Sequence, residues 1–125
     1  MEKRYLSVED LSAYVRSFRL SNYIWQIVTG WDYLAKKTIG LQLIRSIDSI
    51  SANIAEGFHR FHKNDKIHFY YYSKGSVGES IDWVKKANIR KLFDTKQFTY
   101  IMDELKDFPL EINSLIRFTK EKLKK

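Results

Sequence analysis

Between residues 38 and 61 the apolar positions repeat with helical spacing. Leu43, Ile47, Ile50, Ile54, Phe58 and Phe61 step by four, three, four, four and three. At about 100° per residue these six fall within one narrow arc, the signature of an amphipathic helix over 38–61. A first helix is expected over 8–29, where Leu11, Val15, Phe18, Trp25 and Val28 form the apolar stripe. Ser7 is placed to cap it, Glu9 and Asp10 occupy the first turn where the helix dipole favours acids, and Gly30 is a natural stop. A third helix is expected over 65–88, capped by Asn64 or Asp65. Its apolar residues form two adjoining stripes: Tyr70, Val77, Ile81 and Val84, then Phe69, Tyr72, Trp83 and Ala87. That arc is wider than one bundle face needs, so part of it is expected to meet a neighbouring subunit. A fourth helix is expected over 94–123, carried by Phe98, Ile101, Leu105, Phe108, Ile112 and Leu115. Pro109 predicts a kink or short break near Leu105–Phe108, because proline removes one backbone bond and crowds the carbonyl four residues earlier. Lys120 to Lys125 should form a basic, fraying end.

Residues 31–37, 62–65 and 89–95 are left as short connections. Four similar helices joined this way fold most simply as an all-α antiparallel up-down-up-down four-helix bundle, one domain over 1–125. One proline and five glycines are too few for the turns of a β-sandwich. No apolar run reaches the roughly 18 residues needed to span a bilayer, so no membrane partner is expected. The first fifteen residues lack the apolar core and small-residue cleavage site of a secretory signal. The chain has no cysteine, which excludes disulfides, thiolate metal sites and a cysteine nucleophile and fits a cytoplasmic location. Net charge is +7. Residues 63–125 carry 14 Lys/Arg against 9 Asp/Glu, whereas residues 1–62 carry 8 against 6, so acidic partners should bind the second half.

Ser49-Ile-Ser-Ala-Asn-Ile-Ala-Glu-Gly-Phe58 sets unusual residues inside a strong helical pattern. Gly57, Gly75 and Gly78 each cost about 1 kcal/mol of helix stability against alanine, which points to close backbone approach at those positions. Asn53 borders the core arc and needs partners, for which Ser73 and Ser76 are candidates. Glu56 lies off that arc and can pair with Arg60 at i+4, or with a neighbouring subunit. The segment Ser51-x-Asn53-Ile54-Ala55-Glu56-Gly57-Phe58-x-Arg60, with Phe69-Tyr-x-x-Ser73-x-Gly75-Ser76-x-x-Glu79, resembles the four-helix bundle protein family first noticed as open reading frames in intervening sequences of bacterial 23S ribosomal RNA genes. The resemblance extends from about Glu9 to Leu123. It departs at Ser73, where the family usually has alanine, at Val77, where it has a bulkier aliphatic, and at Pro109.

The resemblance implies a four-helix bundle assembled as a ring, a pentamer. It makes Asn53, Glu56, Gly57, Gly75, Ser76 and Glu79 structural or interface positions. It implies no catalytic residues. Relatives include the accessory variability determinant of diversity-generating retroelements, a basic pentameric barrel that works with a reverse transcriptase and nucleic acid.

The chemistry in the residues themselves is sparse. His59, His62 and His68 have spacings that could hold zinc, but no carboxylate is placed as a further ligand. Glu56-x-x-His59 matches a di-iron spacing once, with no second copy. Gly75-Ser-Val-Gly78 lacks the ending of a phosphate loop. No cofactor, metal or enzyme activity is expected. Basic residues collect at opposite ends of the third helix: Arg60, Lys63 and Lys66 near Tyr71 and His68, and Lys85, Lys86, Arg90, Lys91 and Lys96. Cations interleaved with aromatics suit a phosphate backbone with stacked bases. The sequence therefore predicts an oligomeric, non-enzymatic bundle that binds RNA or DNA through basic rims. The alternative is an adaptor whose apolar faces recruit a protein such as a polymerase or reverse transcriptase.

Overall fold

The computed structural model describes residues 7–123. A 3-10 turn, Val8–Asp10, precedes helix α1, Ser12–Val28. Helix α2 is a continuous run of Tyr33–Ala35, a π-helical stretch Lys36–Gly40, and Leu41–Phe58. Helices α3, Lys63–Ile89, and α4, Thr95–Lys122, complete the fold. Each helix packs on the two beside it, with α2–α3 the most extensive seam and α1–α4 the least. Contacts between residues 46 and 80, 50 and 73, and 57 and 70 make α2 and α3 antiparallel. Those between 16 and 104 and between 23 and 100 do the same for α1 and α4. The architecture is the expected four-helix bundle.

The core follows the predicted stripes of α2 and α4. Leu43, Ile47, Ile50 and Ile54 are wholly buried, in one cluster with Ile101, Leu105, Phe108 and Ile112. Tyr70 and Val77 come from α3. Burial raises the Tyr70 phenol to about 12, because an apolar surround disfavours the phenolate.

Several expectations are corrected. Ser7 caps the 3-10 turn, in a reciprocal capping box with Asp10, and not α1. Leu11 is extended between the two, so the first helix begins at Ser12. Of the expected α1 stripe, Leu11 and Val28 are buried and Val15 is half-buried, but Phe18 and Trp25 are exposed, and the buried face is completed by Ala13, Leu20 and Ile24 with Ser17 and Ser21. Residues 33–37 are helical because the Asp32 carboxylate accepts from the Ala35 amide and starts α2 five residues early. Phe61 lies past the end of α2 and is exposed. Neither Asn64 nor Asp65 caps α3, which begins at Lys63 after an extended His62. Pro109 does not break α4, which is helical from Thr95 to Lys122. The cap of α4 is Asp94, reciprocated by Gln97. Of the expected fraying tail, Lys124 and Lys125 lie outside the described residues.

Candidate nucleic-acid interface

The two motif segments meet along the α2–α3 seam. A Cβ on Gly57 would stand 2.8 Å from the Tyr70 ring and 2.9 Å from the Lys66 carbonyl oxygen, so only glycine lets the helices close there. The seam continues through hydroxyls. Ser73 donates to the Ile50 carbonyl at 2.8 Å, and Ser80 donates to the Ser46 hydroxyl at 3.0 Å. Small side chains that satisfy their own polar atoms permit this approach without an unpaired buried group.

Other motif residues do different work from that expected. Asn53 donates to the Ser49 carbonyl of its own helix, and Ser76 to the Tyr72 carbonyl, so neither bridges the seam. Gly75 and Gly78 are exposed, and an added Cβ would meet nothing within 4 Å, so no close approach inside the chain explains them. Glu79 accepts from the Trp83 indole at 3.1 Å. Glu56 pairs with Arg60 at 3.0 Å, as the spacing predicts.

The two basic ends prove unequal. At the end where α3 begins, the cations are engaged. Arg60 is paired with Glu56 and lies 4.6 Å from the centroid of the Phe69 ring. The Lys66 ammonium donates to the Phe58 carbonyl at 2.6 Å, closing the end of α2, and burial lowers its pKa. Lys63 donates to the Lys120 carbonyl at 3.4 Å.

At the opposite end the cations are freer. Lys85, Arg90, Lys91 and Lys96 are exposed and make no ion pair among the described residues. Lys86 is paired with Asp82 at 2.6 Å and lies 4.6 Å from the Trp83 ring centroid. Lys91 adopts φ 60, and the amides of Lys91 and Leu92 reach back to the carbonyls of Asn88 and Ala87. This left-handed stop is normally taken by glycine. Lys96 occupies the first turn of α4, where the helix dipole disfavours a cation.

The fold adds two residues the sequence reading missed. The Trp31 indole donates to the Leu92 carbonyl at 3.0 Å, and its ring packs edge-on against Phe93 with centroids 5.5 Å apart. This clasp lays the α1–α2 turn on the α3–α4 turn. Lys36 and Lys37 at the start of α2 thereby join the same basic end, where Asp32, Asp82 and Asp94 are the nearby acids along the chain. The missed signal was Asp32, a capping residue that extends the helix back over the two lysines.

Residues 9–114 match the sequence profile of the 23S rRNA-intervening sequence protein. The chain belongs to the 23S rRNA-intervening sequence protein family. Among solved structures, the chain is similar to a protein of unknown function from the S23 ribosomal protein family of Bacteroides thetaiotaomicron VPI-5482. The TM-score is 0.74 at 18% identity, over 84% of this chain and 98% of that one, a likeness of fold. No curated protein matches the chain. Within the family's fold, the motif residues Gly57 and Ser73, with Ser46 and Ser80 outside the motif, set the α2–α3 seam, and the unpaired cations stand apart from it. No helix among the described residues is long and apolar enough to cross a membrane.

Proposed function

We propose that this chain is a non-enzymatic, oligomeric bundle that binds RNA or DNA through the basic end formed by the α1–α2 and α3–α4 turns. One observation carries the reading: Lys36, Lys37, Lys85, Lys86, Arg90, Lys91 and Lys96 converge there, and all but Lys86 lack an ion-pair partner among the described residues. Unpaired cations gain most from phosphate, because binding releases condensed counterions without first breaking a salt bridge. The ribosomal family name of the similar structure is in keeping with RNA as the polyanion. A ring of five, which the family resemblance implies, would repeat this end around its rim and multiply a modest patch. The cytoplasm is the compartment proposed for a cysteine-free chain with such a partner.

A gel-shift titration across salt concentrations tests the reading. Reversing Lys37, Lys85, Arg90 and Lys96 to glutamate is expected to abolish the shift at low salt. Reversing Arg60 and Lys63 should change it little. Absence of binding by the parent at low salt, or equal loss from the two sets, would overturn the reading. A second reading is favoured by Phe18 and Trp25, which are both about half exposed on α1. They suit an adaptor that recruits a protein such as a polymerase or reverse transcriptase, with little nucleic-acid affinity of its own. A partner captured by the parent and lost on Trp25→Ala, at unchanged nucleic-acid binding, would select it.

A further inference from the structure

We propose that the basic end takes single-stranded rather than duplex nucleic acid, with Tyr33 as its stacking platform; this rests on the nucleic-acid reading above. Tyr33, Leu34 and Ile89 are 74%, 73% and 79% exposed, and none belongs to the core. Tyr33 and Leu34 open α2, and Ile89 closes α3. The Trp31 clasp holds these two helix ends at one end of the bundle. The Lys37 ammonium lies 5.6 Å from the Tyr33 ring centroid, so a cation already flanks the open phenol.

The mixture of groups decides between ligands. A duplex turns its phosphates outward and hides its base faces, so cations alone suffice to hold it. A single strand offers a charged backbone and apolar base faces together, and it needs a ring beside the cations. Tyr33 supplies that ring, while Leu34 and Ile89 give adjacent bases an apolar seat. An anionic bilayer would also accept cations around apolar tips. A flat anionic membrane surface would, however, bring the capping carboxylates of Asp32 and Asp94 at this end toward its own negative headgroups, an unfavourable approach.

Fluorescence polarisation with an oligouridine strand and an RNA duplex of equal phosphate count tests the proposal. The strand is expected to bind about tenfold more tightly. Tyr33→Ala should weaken strand binding about tenfold, with duplex binding and the salt slope unchanged, and Tyr33→Phe should retain it. Tyr33 is an exposed first-turn residue, so both variants should keep parental circular dichroism. Equal binding of strand and duplex, or indifference to Tyr33→Ala, removes this proposal and leaves the nucleic-acid reading standing. Failure of both ligands at low salt removes the two together, and binding of phosphatidylserine vesicles in their place would assign the end to lipid.

Discussion

Gly57 and Gly75 are the same residue type in the same kind of helix, yet they face opposite physical situations. At Gly57 an added methyl meets the Tyr70 ring and the Lys66 backbone oxygen below 3.0 Å. The backbone oxygen cannot step aside without moving the start of α3. Gly57→Ala is therefore expected to cost about 1–3 kcal/mol through overpacking, well beyond its gain in helix propensity. At Gly75 and Gly78 the methyl meets nothing, so each change to alanine should add about 0.5–1 kcal/mol. Urea denaturation of the three variants separates the cases. A stabilising Gly57→Ala would show that the seam can relax. A destabilising Gly75→Ala would show that something outside the chain packs on that glycine.

At the scale of elements, the α1–α4 seam is the least extensive, and it carries the interhelical ion pairs found among the described residues. Arg16 reaches Glu104 at 2.7 Å, Asp107 at 3.2 Å and Glu111, and Ser12 also bonds Glu111. Its hydrogen bond to Glu104 leads the contacts that raise the guanidinium pKa. Arg16→Met would leave three carboxylates facing one another on α4. The expected loss is about 1–3 kcal/mol at neutral pH, below the value for a fully buried pair because these side chains remain partly wet. Urea denaturation of parent and variant at neutral pH checks the loss, and equal midpoints would show that the cluster adds nothing to stability.

Element types were legible in the sequence because α2 and α4 place large aliphatics at strict helical steps. On α1 the pattern misled. Its buried face alternates Leu20 and Ile24 with Ser17 and Ser21, whose hydroxyls donate to carbonyls three or four residues back and so bury without cost. Phe18 and Trp25 offered a larger but solvent-facing stripe. The basic end was half legible for a different reason. Lys85 to Lys96 lie close together along the chain, but Lys36 and Lys37 join them only in three dimensions, through the bundle topology that puts both turns at one end and the Trp31 contacts with Leu92 and Phe93.

At the scale of the whole molecule, two features oppose each other. Phe18 and Trp25 on α1 and Leu41 on α2 are each about half exposed, apolar area that a second copy could cover. The net charge of +7 resists bringing copies together. Self-association and polyanion binding should therefore respond to salt in opposite directions. Added salt screens repulsion between like-charged copies and favours assembly, but it weakens phosphate binding by removing the gain from counterion release. Light scattering of the protein alone is expected to give a mass above one chain that rises or holds between low and moderate salt. RNA bound at low salt should dissociate over the same interval. Replacing both Phe18 and Trp25 with lysine should return the mass to a single chain with helix content intact, because neither side chain supports the core. A parent that stays a single chain at every salt concentration would defeat the assembly, and nucleic-acid binding would then have to rest on one basic end per molecule.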